Sequence, residues 1–268
     1  MLSSNTKYST MKYIFLLIAL ISSFKGISQG LDSLEYKMEG LAFTSYYAMP
    51  EKLSDKTKTV LIVHEWWGLN DYPKARALKL AKEGYIAVCV DMYGSGKIAD
   101  NPKDALALAT PFYQDPKMAY KRFMVAYNIA LNISGVDKSR IAAIGYCFGG
   151  SMVLNAAAMG APLDAVVSFH GGLADIPVNQ GKLTAAVLVC NGAADTFVPE
   201  KDIVELKKQM VANGEDYKFI NYANATHAFT NPRATEVGKK HNMPIEYNAA
   251  ADKKSWKDCM KFLKKKVK

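Results

Sequence analysis

The chain has few of the residues that build metal centres. Its 268 residues include four cysteines and four histidines, and no two cysteines form a C-x-x-C pair or another ligand-like spacing. We therefore expect no metal and no cofactor. Cys89, Cys190 and Cys259 fall in apolar strands or on the apolar face of the last helix, which predicts buried thiols. A disulfide between two of them is the alternative.

Arginine is equally scarce, although the chain is basic. The formal charge is +9, and most of the positive charge comes from lysine. The arginines are Arg76, Arg122, Arg140 and Arg233. Because arginine supplies the bidentate donors typical of phosphate and base recognition, we expect no nucleic-acid partner. The lysines are expected to solvate the surface, with at most a weak attraction for anionic substrates.

The one long apolar run lies near the N-terminus. Lys12 precedes an apolar stretch from Tyr13 to Ile21, and Gly26 and Ser28 have the separation of small residues at a cleavage site. The stretch is too short to span a bilayer comfortably. We therefore predict that residues 1–28 are a signal peptide, that the mature protein is periplasmic or secreted, and that it has no stable membrane insertion after cleavage. An uncleaved N-terminal anchor is the alternative.

The remaining residues, 29–268, have the composition of a single globular domain. Half of the chain is hydrophobic, and strand-like apolar runs alternate with helical patterns. This alternation predicts an α/β fold with a mainly parallel sheet and helices on both of its faces. A β-hairpin is predicted from Leu34 to Met49. One helix is predicted to begin after Asn70 and to end at Gly84.

One glycine-rich segment carries the clearest functional signal. Gly145-Tyr146-Cys147-Phe148-Gly149-Gly150 separates an apolar strand, Ile141 to Ile144, from a helix of small residues. This is the layout of a nucleophile elbow, where the glycines avoid collisions with the neighbouring backbone. Cys147 would lie at a helix N-terminus, which favours the reactive thiolate. The segment indicates a thiol hydrolase, although a buried cysteine in a glycine-rich turn has the same pattern.

Two later loops supply the partners that such a cysteine needs. The apolar run Ala185 to Cys190 predicts a strand that leads to Asp195, and Tyr217 to Tyr222 predicts another that leads to His227. Nucleophile, acid and histidine then follow in the chain order of the α/β-hydrolase fold. Asp195 is also consistent with a helix start near Pro199.

At this point the sequence resembles the dienelactone hydrolase family, whose cysteine elbow, aspartate loop and late histidine match Cys147, Asp195 and His227. The resemblance runs from about Leu34 to Leu263 and includes Glu65 in His64-Glu65-Trp66-Trp67-Gly68. It implies an α/β-hydrolase fold in which Cys147 attacks a small-molecule ester or lactone. It further implies that His227 shuttles the proton, Asp195 orients His227 and Glu65 helps to activate the thiol. A local hydrogen bond is the alternative role for Glu65.

An oxyanion forms when a nucleophile attacks a carbonyl group, and it needs donors that are already in place. In this fold they would be the backbone N–H groups of Trp66 and Phe148, which follow two strand ends. Aromatic side chains near the same loops suggest an apolar pocket wall, although each could equally pack in the core. These candidates are Trp66, Trp67, Tyr93, Tyr146 and Phe229.

Two further positions qualify the resemblance. His170 directly follows a predicted strand and is a candidate for the pocket, with a structural role as the alternative. Dienelactone-specific members of the family hold a substrate carboxylate with arginines, but Asn231 stands four residues after His227. The substrate is therefore expected to be a different ester or lactone. The rival hypothesis is a non-catalytic small-molecule binding protein on the same fold.

Overall fold

The computed structural model describes residues 30–54, 56–178 and 181–268. The predicted signal peptide, residues 1–28, lies outside this part of the chain. The strands are β1 (Asp32–Met38), β2 (Leu41–Ala48), β3 (Thr59–Val63), β4 (Ile86–Val90), β5 (Ile141–Tyr146), β6 (Ala165–Phe169), β7 (Ala186–Gly192) and β8 (Tyr217–Tyr222). The helices are α1 (Asp71–Lys82), α2 (Pro102–Gln114), α3 (Pro116–Ala130), α4 (Phe148–Ala158), α5 (Glu200–Ala212), α6 (Ala234–His241) and α7 (Ala249–Lys266).

The strands form one eight-stranded sheet in the order β1-β2-β4-β3-β5-β6-β7-β8. β1 and β2 form the predicted antiparallel hairpin, β2 pairs antiparallel with β4, and the pairs from β4 to β8 are parallel. The strands β3 to β7 are buried along their whole length, as expected for a parallel sheet covered on both faces. The predicted α/β-hydrolase architecture is confirmed.

Alternating side chains of the central strands point to two separate cores. Leu61 and Val63 of β3 pack with apolar residues of α2 to α5, whereas Val60 and Ile62 pack with those of α1 and α7. Both helical layers are therefore held by the same strands. In α7, Cys259 lies on the buried apolar face of the helix, as predicted.

Local signals set the ends of the elements. The Asn70 side chain accepts a hydrogen bond from the Tyr72 N–H and so caps α1. The chain leaves α1 through Gly84, whose φ of 91° is readily adopted only by glycine. The turn of the hairpin contains Glu39 and Gly40, both with positive φ.

The parallel strands bring five loops to one edge of the sheet. In the register, Val63 of β3 lies beside Gly145 of β5, and Phe169 of β6 lies between Tyr146 of β5 and Cys190 of β7. The residues that directly follow β3, β5, β6, β7 and β8 are therefore neighbours. This edge carries all of the candidate catalytic side chains, as ligand sites in open α/β sheets generally do.

The remaining cysteines and the helices add two observations. Cys89, Cys190 and Cys259 are buried, unpaired thiols, as predicted.

In the described part of the chain, every helix is too short or too polar to cross a bilayer.

Candidate active site

Cys147 occupies a sharp turn between β5 and α4. Its φ of 53° and ψ of −116° are uncommon for a residue with a side chain, and such strain is maintained where the surrounding structure requires it. A Cβ atom on Gly145 would overlap the carbonyl group of Gly149, and one on Gly149 would overlap that of Val63. Both glycines are therefore needed for the close approach of the backbone, as the sequence predicted.

Cys147 lies in an electropositive environment. It is the N-terminal cap of the 11-residue helix α4, whose first N–H groups and dipole present positive potential. Cys147 is only partly buried, whereas the other three cysteines are fully enclosed. Among the cysteines, it alone combines exposure with an electropositive environment.

His227 and Asp195 meet beside this cysteine. His227 Nδ1 lies 2.8 Å from Asp195 Oδ2, and the Asp195 side chain is completely buried. The second carboxylate oxygen accepts a hydrogen bond from the Phe197 N–H at 2.9 Å. Asp195 does not cap α5, because that helix is preceded by Pro199 and has no side-chain cap. The helix-start alternative for Asp195 is therefore wrong.

The charge state of His227 is set by its two neighbours. Burial disfavours the imidazolium, but the negative charge of Cys147 and the hydrogen bond with Asp195 outweigh it and raise the pKa of His227 to about 10. Because Nδ1 is bound to Asp195, the nitrogen left for Cys147 is Nε2. His227 is therefore protonated at neutral pH while it lies beside Cys147.

Glu65 is buried on the loop that follows β3, and it pairs with Asn231, a contact that the sequence did not predict. Asn231 Nδ2 donates to Glu65 Oε2 at 2.6 Å, while Asn231 Oδ1 accepts from the Arg233 N–H at 3.0 Å. Glu65 Oε1 has no hydrogen-bond partner among the described residues. Burial raises the pKa of Glu65 to about 7, and the Asn231 hydrogen bond and the charge of His227 partly oppose this rise.

Two backbone N–H groups lie at the start of the loops that carry Glu65 and Cys147. Within the described residues, neither Trp66 N nor Phe148 N donates a hydrogen bond outside regular elements. The loops that carry them are joined directly, because the Gly149 N–H donates to the His64 carbonyl at 3.1 Å. These are the two donors that the resemblance assigned to an oxyanion hole.

The candidate pocket residues fall into two groups. Trp66 and Trp67 are half-buried and meet edge to face at 5.1 Å between ring centroids. The other four are buried, so they support the site from behind rather than line an opening. They are Tyr93, Tyr146, His170 and Phe229.

Two further aromatic rings border the site and were not predicted. The Phe197 ring is half-exposed and lies 5.1 Å from the His227 ring. The Tyr113 ring is half-exposed and packs on Phe148 at 5.7 Å between ring centroids. Phe197 could have been found from its place two residues after Asp195. Tyr113 comes from α2, where no motif marks it.

Three of the four arginines are bonded to other groups: Arg76 to Asp252, Arg122 to the Met92 carbonyl and Arg140 to the Lys268 carbonyl. Arg233 is exposed and lies 3.8 Å from Glu236, in an ion pair that solvent screens. No group of three or more His, Cys, Asp or Glu side chains in the described residues has the arrangement of a metal site.

Known proteins are similar to this chain in sequence and in fold. The model of the dienelactone hydrolase family matches residues 43–267. A relative from Aquifex aeolicus strain VF5, provisionally named as a carboxymethylenebutenolidase, is 27% identical over 209 residues, which are 76% of this chain and 89% of the relative.

Solved structures of other proteins have a similar fold. A dienelactone hydrolase-like promiscuous phosphotriesterase from metagenomic libraries is 30% identical, with a TM-score of 0.83 and coverage of 89% of this chain and 98% of that chain. An acylaminoacyl peptidase from Pyrococcus horikoshii, 16% identical with a TM-score of 0.67, shares the fold over 89% of this chain and 42% of its own. Because the family model covers most of the sequence, the chain belongs to the dienelactone hydrolase family and is a hydrolase of the ester and lactone type.

Proposed function

We propose that the protein is a thiol-dependent hydrolase of small carboxylic esters or lactones that works through Cys147, His227 and Asp195. One observation carries this proposal. The 2.8 Å hydrogen bond between Asp195 and His227 holds the imidazole beside a strained cysteine at a helix N-terminus. Nucleophile, base and orienting carboxylate are thus assembled from three separate loops.

In the first half of the proposed reaction, the Cys147 thiolate attacks the carbonyl carbon and a C–S bond forms. The carbonyl π electrons move to oxygen, and the N–H groups of Trp66 and Phe148 stabilise the resulting oxyanion. The oxyanion collapses, the C–O bond to the alcohol breaks, and His227 gives its Nε2 proton to the leaving oxygen. The products of this half are an alcohol and a thioester on Cys147.

In the second half, a water molecule attacks the thioester carbon while His227 takes one proton from the water. The tetrahedral intermediate collapses, the C–S bond breaks, and the carboxylic acid leaves. Cys147 returns as a thiolate beside the protonated His227. Asp195 stabilises the imidazolium in both halves because its charge lies against Nδ1.

Glu65 is proposed to take the proton from Cys147 when the thiolate first forms. Its pKa of about 7 means that it exchanges protons near neutral pH, which suits a general base. Its Oε1 atom has no protein partner among the described residues, so it is free to accept this proton. The hydrogen bond from Asn231 fixes the other oxygen.

The preferred substrate is proposed to be uncharged. Asn231 stands where dienelactone-specific relatives have an arginine, and its amide is committed to Glu65 and to the Arg233 N–H. The half-buried rings of Trp66 and Trp67 and the exposed ring of Phe197 offer apolar contacts instead. Neutral aryl esters and small lactones fit this setting better than carboxylate-bearing lactones.

The test is hydrolysis of matched substrates by the purified protein, its Cys147→Ala variant and a Cys259→Ala control, which also removes a thiol. The panel contains neutral aryl esters, neutral lactones, carboxylate-bearing lactones and an aryl phosphotriester, since one structural relative is named as a phosphotriesterase. We expect activity on neutral esters or lactones in the wild type and the control, and none in Cys147→Ala. Equal activity in Cys147→Ala, or ligand binding without turnover, would favour the binding-protein alternative.

We also propose that the protein is exported after removal of residues 1–28. Support comes from Lys12, the apolar stretch Tyr13 to Ile21 and the small residues Gly26 and Ser28. Fractionation of the native host, followed by sequencing of the mature N-terminus, tests this. A cytoplasmic protein that retains its first residues would contradict it.

A further inference from the structure

A second histidine lies directly behind the cysteine. His170 follows β6, is completely buried and has a φ of 40°, a strained value for a residue with a side chain. Its Nδ1 atom accepts a hydrogen bond from the Cys147 N–H at 3.1 Å. The same N–H donates to the Phe169 carbonyl at 3.0 Å. Two acceptors therefore share the amide of Cys147, whose own backbone conformation is strained.

The opposite nitrogen of His170 is held by a buried polar chain. His170 Nε2 lies 2.7 Å from Thr230 Oγ1, which lies 2.6 Å from the Tyr72 hydroxyl. Arg76 donates to the Tyr72 hydroxyl at 3.2 Å and to the Thr230 carbonyl at 2.5 Å. Asp252 neutralises Arg76 at 2.7 Å. These hydrogen bonds thus connect α7, through α1, to the turn at Cys147.

The direction of these bonds fixes the tautomer of His170. Nδ1 receives a proton donor, so it must be unprotonated, and the ring proton of a neutral imidazole is then on Nε2. Nε2 donates to Thr230 Oγ1. Arg76 can only donate hydrogen bonds, so the Tyr72 hydroxyl and the Thr230 carbonyl must accept from it. Loss of the Thr230 hydroxyl would leave Nε2–H without an acceptor.

His170 must also remain neutral. Its ring lies 5.3 Å from the His227 ring, and the charged groups that face it are His227 and Arg76, both positive, with the Tyr72 hydroxyl nearby. Burial, and then the charges of His227 and Arg76, lower the pKa of His170 well below its ordinary value. A neutral imidazole at His170 keeps an acceptor for the Cys147 N–H. It also adds no charge repulsion against an imidazolium at His227.

We propose that His170 is a positioning residue, which acts through the Cys147 N–H to hold the cysteine in its reactive backbone conformation. Thr230, Tyr72 and Arg76 keep His170 in the tautomer that this role requires. The inference rests on the proposed thiol hydrolase. A strained backbone relaxes when one of its restraints is lost, and a sulfur atom displaced by about 1 Å reacts up to about a hundredfold more slowly.

Two substitutions at position 170 separate hydrogen bonding from packing. His170→Asn retains an acceptor near the place of Nδ1 and tolerates a positive φ, but it loses the ring. His170→Phe keeps a ring of similar size but has no acceptor. We expect kcat to fall about tenfold in His170→Phe and at most about threefold in His170→Asn, with KM within about twofold of the wild type in both.

Thr230→Val provides a third variant that preserves shape at the far side of His170. It removes the acceptor of Nε2–H, so the tautomer with a proton on Nδ1 becomes competitive and repels the Cys147 N–H. We expect about a threefold fall in kcat with unchanged KM. This variant decides the question if His170→Phe does not fold.

The second readout is the rate at which iodoacetamide alkylates Cys147, followed by peptide mass spectrometry. It needs no substrate, so it separates failure of this inference from failure of the proposed function. We expect slower alkylation in His170→Phe and Thr230→Val, and near wild-type alkylation in His170→Asn. Equal losses in His170→Phe and His170→Asn, or unchanged kcat and alkylation in Thr230→Val, would overturn the inference. If Cys147→Ala keeps full activity, the proposed function itself fails.

Discussion

Replacing Asp195 by asparagine tests the contact on which His227 depends. In the wild type, one carboxylate oxygen accepts from the Phe197 N–H and the other from His227 Nδ1. In the Asp195→Asn variant, the amide oxygen keeps the bond to Phe197, so the amide NH2 group turns toward Nδ1. Because NH2 donates, Nδ1 must accept, and the ring proton moves to Nε2. The nitrogen that should take a proton from water in the second half of the reaction is then already protonated.

The size of the effect follows from the contact that is lost. A hydrogen bond to a charged group in a buried site contributes about 1.5–3 kcal/mol, which corresponds to about a 10- to 150-fold fall in kcat/KM. The wrong tautomer adds to this loss, so tenfold is about the minimum. The Asp195 bond also contributes to the raised His227 pKa of about 10. Its removal therefore shifts the alkaline limb of the pH profile to lower pH.

The assay is the initial rate of aryl ester hydrolysis between about pH 5 and 11, fitted for kcat/KM and for the two limbs of the profile. The matched control is Asp202→Asn, the same chemical change in the first turn of α5, which we expect to behave as the wild type. An Asp195→Asn enzyme with activity within about twofold of the wild type and an unmoved alkaline limb would refute the reasoning.

Three further predictions concern stability. The Glu65 pKa of about 7 lies above its ordinary 4.5, so protonated Glu65 stabilises the folded state. This contribution is fully present below about pH 4.5 and is lost as the pH rises through about 7. Denaturant unfolding should show the wild type losing about 3 kcal/mol more than Glu65→Gln across this window. Gly149→Ala drives a methyl group into the Val63 carbonyl. It should lower the free energy of unfolding by about 1–3 kcal/mol and should abolish ester hydrolysis. A stable, active variant would contradict the close approach of Gly149 to Val63. Arg76→Met should cost about 3–5 kcal/mol in thermal unfolding because it leaves the buried Asp252 carboxylate without its counter-charge, and the double variant with Asp252→Leu should regain part of the loss.

The chain order of the three candidate catalytic residues could be predicted because a local sequence pattern marks each of them. Glycines mark the turn at Cys147, and apolar runs end just before Asp195 and His227. Since parallel strands end at one edge of the sheet, loop position alone brings these residues together. The hydrogen bond between Asp195 and His227 was foreseeable for this reason, although its geometry was not.

The supporting contacts could not be predicted, because they join side chains on loops far apart in sequence. Asn231 reaches back to Glu65, and Thr230 reaches His170 across the same edge. No spacing rule links such pairs, and each depends on how the loop after β8 packs against the residues that follow β3 and β6. Tyr113 was missed for a related reason, since it lies on a helix whose apolar pattern only indicates core packing.

The most direct test of the account is the capture of the proposed thioester. An activated aryl ester, which acylates faster than it deacylates, is mixed with the wild-type protein, quenched in acid and examined by intact and peptide mass spectrometry. The account predicts a mass increase equal to one acyl group, located on Cys147 and absent from Cys147→Ala. Continued hydrolysis with an unmodified Cys147, or with the acyl group on another residue, would contradict it.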